Sequence, residues 1–411
     1  MILKEISIET YIDFINNHSY SSVLQTKEYA EVMKNQGYTT VFVGFFENDI
    51  ISAASLILIK KIKGYKYAYA PRGFLIDYNN KNLLTEFTKE IKNFLLKLDV
   101  IAIKIAPPLI KNIINSEGKI IGVNPNFDDA FNTLKEIGYH HFGFNSLFES
   151  YKPRFEALID LTLSHEELFN NIKKEYRTKI RSAEKKGIKI YRANSNEIDL
   201  IYEQAKNKYP RDLKYFQDSY KFFSENNKME YYYAKLDTHA YLDFAKKSFE
   251  EAEKKANELN QQLIENKYDN RDKIISKKLE ADYRLSNMKK QLVEANKLAS
   301  EYQKGLVLAS MLIAKNRSEV YLYMDGFDAK YKKFNAKHLL MWKIIEKYSK
   351  LGYKRLNLGG ITDIRVENEK YRGLNDFKTN FNASIVEYAG DFELVINQAK
   401  YFLYRQIVGK K

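Results

Sequence analysis

The stretch AEVMKNQGYTTVFVGFF, residues 30–46, reads as three elements in one line. Up to Gln36 the composition is helical, Gly37 offers a residue that tolerates positive φ, and from Tyr38 the side chains are aromatic and β-branched. A glycine just past a helix end relieves the steric cost of the left-handed stop, and the residues after it suit a pleated sheet. The same unit recurs at AFNTLKEIGYHHFGF (130–144) and WKIIEKYSKLGYKRLNLGG (342–360). One supersecondary unit present in both halves predicts a mixed α/β (α+β) chain of duplicated design.

At 411 residues the chain has room for two or three domains, and 45% apolar with 14% aromatic residues marks it as globular. Cysteine is absent, which excludes disulfides and thiolate zinc sites and suits a reducing compartment. The N-terminal MILKEISIETYIDFINN is interrupted by charges and has no signal-peptide core. The longest apolar run, IISAASLILI (50–59), is half the ~20 residues a bilayer span needs. A cytoplasmic location is therefore expected, with peripheral contact at the inner face of the membrane left open. Net charge is +14, which draws a chain towards nucleic acid, anionic lipid or phosphorylated substrates. A lysine-rich composition without such a partner is the competing reading.

Residues 239–305 stand apart: they hold no proline and, before Gly305, no glycine. Leu242, Ala245, Phe249, Ala252, Ala256, Leu259 and Leu263 follow alternating steps of three and four, as do Ala281, Leu285, Met288, Leu292, Ala295, Ala299 and Tyr302. That is the spacing of a coiled coil, and the polar NKYDN (266–270) between the two series predicts an antiparallel hairpin. With 12 Lys and 2 Arg against 4 Asp and 8 Glu, this arm carries only +2, so the globular body carries +12. Its flanks, MEYYYAKL (229–236) and LVLASMLIAKN (306–316), read as neighbouring strands of one sheet.

Several constellations are basic and aromatic. FNNIKKEYRTKIRSAEKKGIKI (169–190) reads as one helix with Lys173, Lys174, Arg177, Arg181 and Lys185 opposite an apolar stripe of Ile172, Tyr176 and Ile180. It is either a solvated surface or a rail for nucleic-acid phosphates. In YPRDLKYF (209–216), Arg211 and Tyr215 share a helical face and suit a phosphate. In YAPRGFLID (69–77), Pro71 fixes a turn, Gly73 lets backbone approach a ligand, and Arg72 and Asp77 flank it. YRGLNDFKTNF (371–381) reads as a loop entering a strand, with the ring of Phe377 beside the cation of Lys378. No metal-ligand spacing, nucleophile elbow or glycine-rich nucleotide loop is present, and LGG (358–360) is too short to count as a phosphate cradle. No cofactor or metal is expected.

Together these stretches resemble the FemABX family of aminoacyl-tRNA-dependent peptidoglycan branching enzymes. LQTKEYAEVMKNQGY (24–38) is similar to its N-terminal signature, YAPRGFLID to its Pro-Arg-Gly turn, and DLTLSHEELFNNIKKEYRTKIRSAEKKGIKI (160–190) to the opening of its second domain. The most specific block is YKKFNAKHLLMWKIIEKYSKLGYKRLNLGG followed by YRGLNDFKTNFNASIVEYAGDFELVIN. The resemblance implies two tandem GNAT-like domains, 1–150 plus 391–411 and 151–238 plus 306–390, with the coiled-coil arm 239–305 inserted in the second. It implies transfer of Gly, Ala or Ser from charged tRNA to the stem-peptide amine of lipid II or UDP-MurNAc-pentapeptide.

Carried over residue by residue, the resemblance implies that Lys34, Arg211, Tyr215 and Tyr331 bind the precursor; Arg72 and Asp77, from their place around the Gly73 turn, are also expected to bind substrate. Phe377 and Lys378 match a pair assigned to the tRNA acceptor end: the ring would stack on an adenine and the cation would meet negative charge. Where many members carry Asp-Pro, this chain has Ala106-Pro107, so a general-base role for that carboxylate is unavailable. An acyl-CoA N-acyltransferase, a protein-modifying aminoacyl-tRNA transferase and a non-enzymatic RNA-binding protein remain as alternatives, and the oligomeric state is open.

Overall fold

The structure is a computed structural model that describes residues 1–20, 22–206, 208–209, 211–265 and 270–408. Two sheets share one plan. Ile2–Glu5, Thr39–Glu47, Ile50–Ile62 and Tyr65–Ala70 pair antiparallel in sequence order; the helix Lys81–Lys97 then crosses over to Val100–Ile105, parallel to its neighbour. In the second half Ile188–Arg192, Met229–Leu236, Leu306–Asn316 and Glu319–Phe327 repeat the antiparallel run, and helix Ala336–Lys350 leads to the parallel strand Arg355–Ile361. The mixed α/β duplication expected from the repeated unit is present. Its punctuation is also visible: Gly37, Gly138 and Gly352 have φ of 79°, 103° and 78°, each just past a helix end and just before a strand.

The sheets do not divide at residue 150. Ile110–Ile114 and Ile120–Val123 belong to the second sheet, with Phe155–Asp160 and Ser384–Tyr388, whereas Tyr139–His141 and Phe392–Val395 complete the first. The physical cause lies at Ala106-Pro107-Pro108, directly after the strand Val100–Ile105. Proline cannot donate to a ladder, so the strand stops and the chain passes across to pair Ile114 with Ile385.

The arm consists of helices Thr238–Glu265 and Arg271–Glu301, at ~1.5 Å per residue roughly 40 Å long. Between its helices Ala252, Ala256 and Ala281 are buried, small residues that let the two axes approach, together with Leu259. The turn expected at 266–270 lies, except for Asn270, outside the described residues. At the root Leu236 pairs with Leu306, so the insertion interrupts a hairpin whose strands still meet.

Two local readings change. Residues 169–190 are not one helix: they span the helices His165–Asn171 and Lys174–Lys185, with a break at Ile172–Lys173, and the start of the strand Ile188–Arg192; Ile172, Tyr176 and Ile180 face the core as expected. Residues 371–379 are not a loop entering a strand but part of the helix Glu369–Thr379, and the strand begins only at Ser384. Gly373 sits on that helix's exposed side, and Phe377 and Phe381, one turn apart, pack edge-on into the core and hold it. Packing of this kind overrides the roughly 1 kcal/mol helix penalty of one glycine.

Candidate active site

The strands Glu319–Phe327 and Arg355–Ile361 pair only through Glu319–Tyr321 and Arg355–Asn357, then separate. The second strand bulges between Asn357 and Gly360, where Gly359 takes φ 75° and its N–H is held by Asn357 Oδ1 at 2.8 Å. A cleft of about 590 Å³ opens in the fork. Tyr321, Tyr323 and Asp325 line one side and Leu358, Gly359 and Gly360 the other; Tyr209, Arg211 and Tyr215 form a third wall, and Leu24 and Tyr29 reach in from the first half.

Positive charge dominates this space. Lys152, Lys208, Arg211 and Lys378 line it against one carboxylate, Asp325. Asp325 is already ion-paired to Lys208 and Lys337 and accepts a hydrogen bond from Tyr209 at 2.9 Å. Burial opposes its ionisation, but Lys337 and Lys208 more than offset this and hold the carboxyl well below the usual range. The Lys378 side chain is buried, and its amine donates to the carbonyl of Gly360. Burial, with Lys208 nearby, pushes that amine down to about 7. Burial likewise lowers Lys152 to about 8, with Arg72 adding to the effect. Gly360 has no room for a side chain, since a Cβ would stand 2.4 Å from Pro153 Cγ.

Three of the expected site residues meet here. Arg211 lies 5.1 Å above the ring of Tyr215, whose hydroxyl is 3.0 Å from that of Tyr323, and Lys378 is on the floor of the fork. Lys34 is exposed at the end of helix Lys27–Asn35 and is not part of the cleft wall. Tyr331 is buried at the root of the arm, beside Tyr302. Asp77 is exposed on a turn, where it accepts from the Asn79 N–H at 2.9 Å.

Arg72 and Phe377 lie in the core and not on the cleft wall. Arg72 is 2% exposed, ion-paired with Glu156 at 2.7 Å, bonded to the Pro153 carbonyl and stacked on Tyr388. Phe377 is buried, with the Lys337 amine 4.1 Å from its ring centroid and His338 and Phe381 in edge-on contact, and it does not line the cleft. Gly73 admits not a ligand but the protein itself: Gln25 Nε2 lies 3.0 Å from where its Cβ would be. The buried Gln25 binds the Pro71 carbonyl (2.8 Å), the Leu56 N–H (2.8 Å) and the Tyr11 hydroxyl (2.9 Å). The Leu-Gln signature and the Pro-Arg-Gly turn are therefore two halves of one clamp.

Lys152, Lys208 and Asp325 were not among the expected residues. Lys208 directly precedes the YPRDLKYF stretch and could have been read with it; Lys152 and Asp325 carry no local signature.

The sequence matches the model of the FemAB family over residues 6–408. The chain belongs to the FemAB family. It is similar to the aminoacyltransferase FemA of Staphylococcus epidermidis, with 27% identity over 417 residues and 99% of each chain covered. To the FemA of Staphylococcus aureus strain MRSA252 it is 26% identical, over 95% of this chain and 94% of that one. A crystal structure of FemX superposes with a TM-score of 0.75 at 21% identity, covering 98% of this chain and 99% of that one, and so shares the fold. The FemAB relatives are named as aminoacyltransferases, which supports a transferase here.

Proposed function

We propose that this FemAB chain is an aminoacyltransferase that passes an amino acid (Gly, Ala or Ser) from charged tRNA to the stem-peptide amine of a peptidoglycan precursor, lipid II or UDP-MurNAc-pentapeptide. The observation that carries the reading is the buried amine of Lys378 in a cationic cleft at a sheet fork. The reaction is aminolysis of an ester. The acceptor amine attacks the ester carbonyl, a C–N bond forms, the C–O bond to the tRNA ribose breaks, and the amine loses a proton.

Both reactants carry phosphate, so they repel each other. Lys152, Lys208 and Arg211 offset that repulsion and let proximity supply up to ~7–11 kcal/mol. An anion bound beside Lys378 favours its protonated form, so the site would gain its charge on loading and present it to the developing oxyanion. Asp325 is doubly paired and Asp77 stands outside the cleft, so neither is free to act as a base. The proton leaves through the substrate, by a ribose hydroxyl or phosphate.

The test is to incubate the pure protein with a pool of charged tRNAs and both precursors and to weigh the products. One aminoacyl residue added to a precursor, lost on RNase treatment and in Lys378→Met, supports the reading. Transfer from acyl-CoA, or no transfer with any charged tRNA, overturns it.

A further inference from the structure

We propose that the C-terminal helix and the neighbouring lysine-rich hairpin form a docking surface for an anionic lipid bilayer. The helix Gln398–Val408 is apolar on two opposite sides. Tyr401 and Tyr404 turn inward: Tyr401 donates to the buried Glu393, and Tyr404 packs edge-on against Tyr65 of the hairpin. Half a turn away, Phe402 and Leu403 point outward, 62% and 53% exposed, with Ile407 beside them at 49%. A helix with apolar side chains on two opposite sides is normally covered on both. Here nothing among the described residues covers the outer face.

What surrounds this face identifies the occupant. The hairpin tip, IKKIKGYKY (59–67), carries Lys60, Lys61, Lys63 and Lys66, with Ile62 exposed between them. The helix adds Lys400 and Arg405, and neither segment contains Asp or Glu. Asp99 takes Lys400, but no acidic partner is found for Lys61, Lys63, Lys66 or Arg405 among the described residues. An apolar ridge rimmed by unpaired cations is the pattern that lies in a headgroup layer: side chains enter the acyl boundary while lysines stay with the phosphates. A protein partner would leave those cations to be desolvated or matched one by one. No helix among the described residues is long and apolar enough to cross a membrane, so the contact is interfacial. Near an anionic surface each such cation multiplies partitioning by about fivefold.

The surface also lies at the mouth of a second groove. A space of about 230 Å³ beside the helix is lined by Tyr67, Tyr401, Tyr404, Lys104 and Tyr151, the last next in sequence to Lys152 of the cleft. The docking proposal does not depend on the aminoacyl reaction.

The test is flotation of the full chain with vesicles of pure phosphatidylcholine and of equal parts phosphatidylcholine and phosphatidylglycerol, alongside analytical ultracentrifugation. The chain is expected to float with the anionic vesicles only. Phe402→Ser/Leu403→Ser and, separately, Lys61→Glu/Lys63→Glu should each weaken binding at least tenfold while leaving the unfolding temperature unchanged. Failure of the parent chain to float overturns the proposal. So does undiminished binding by both variants, which would place the contact on another basic face. A dimer that Phe402→Ser/Leu403→Ser dissolves would show instead that a second copy covers the ridge.

Discussion

The amine of Lys378 donates to the carbonyl oxygen of Gly360, eighteen residues earlier and one residue past the left-handed Gly359. The bond ties the helix Glu369–Thr379 to the bulged strand and fixes where the cation stands in the fork.

Replacing that amine should separate stability from activity. The folded pKa, about 7, is below the ordinary lysine value, so the unfolded chain holds the proton more tightly. Stability then rises with pH from about 7 to about 10, where the buried amine is neutral and the unfolded chain's lysine still holds its proton. Lys378→Met should melt higher than the parent chain at about pH 6, with the gap closing towards pH 10, yet lose about a hundredfold or more in turnover, the loss typical of removing one oxyanion donor. Thermal melts across pH and single-turnover rates check both halves.

Glu319 should show the opposite dependence. Buried, and with Glu156 adding to the effect, its carboxyl is pushed up to about 7 despite Arg355. Above the ordinary carboxyl pKa the folded state keeps its proton longer than the unfolded one, so stability falls as pH rises towards 7. Glu319→Gln should be close to neutral at about pH 5 and stabilising at about pH 8, as read by urea titration.

Two arginines once grouped as ligand contacts should behave differently. Arg72→Ala leaves Glu156 buried without its partner and should cost about 3–5 kcal/mol, read as a large fall in melting temperature or as insoluble protein. Arg211→Ala removes an exposed guanidinium above Tyr215 and should keep the melting temperature while weakening precursor binding tenfold or more. Calorimetry and precursor titration distinguish the two.

The outer part of the arm should be removable. Tyr241, Ala245, Ala295 and Leu298 at its root pack into the core of the second half and must stay, but a short polar helix–helix turn in place of residues 250–290 should leave a cooperatively folding body. A molten product by near-ultraviolet circular dichroism would count against this.

What the sequence discloses is local. Gly37, Gly138 and Gly352 mark their helix ends because the stop needs positive φ, and the arm's seam follows from a spacing of three and four. Arg211 and Tyr215 meet because they are only four residues apart, Arg211 just ahead of the N-cap Asp212 and Tyr215 in the first turn of the helix Leu213–Glu225, not on one helical face. The misreadings are all long-range. Arg72 looks like a ligand contact until Glu156, its buried partner from the other half of the chain, is known. Phe377 looks available for stacking until its burial beside Lys337 is known. Lys152 and Asp325 converge on the cleft from segments that nothing in their own neighbourhoods connects.

The strand Phe392–Val395 inserts between Val100–Ile105 and Tyr139–His141, pairing Phe392 with Ile105 and with His141. A ribosome delivers that strand only after every strand of the second sheet. Until then the first sheet has an open edge along Val100–Ile105, an apolar template for pairing with other chains. The amino-terminal half can therefore collapse during synthesis but cannot finish, and a transcript cut short before residue 392 should yield an aggregating fragment rather than a smaller working protein.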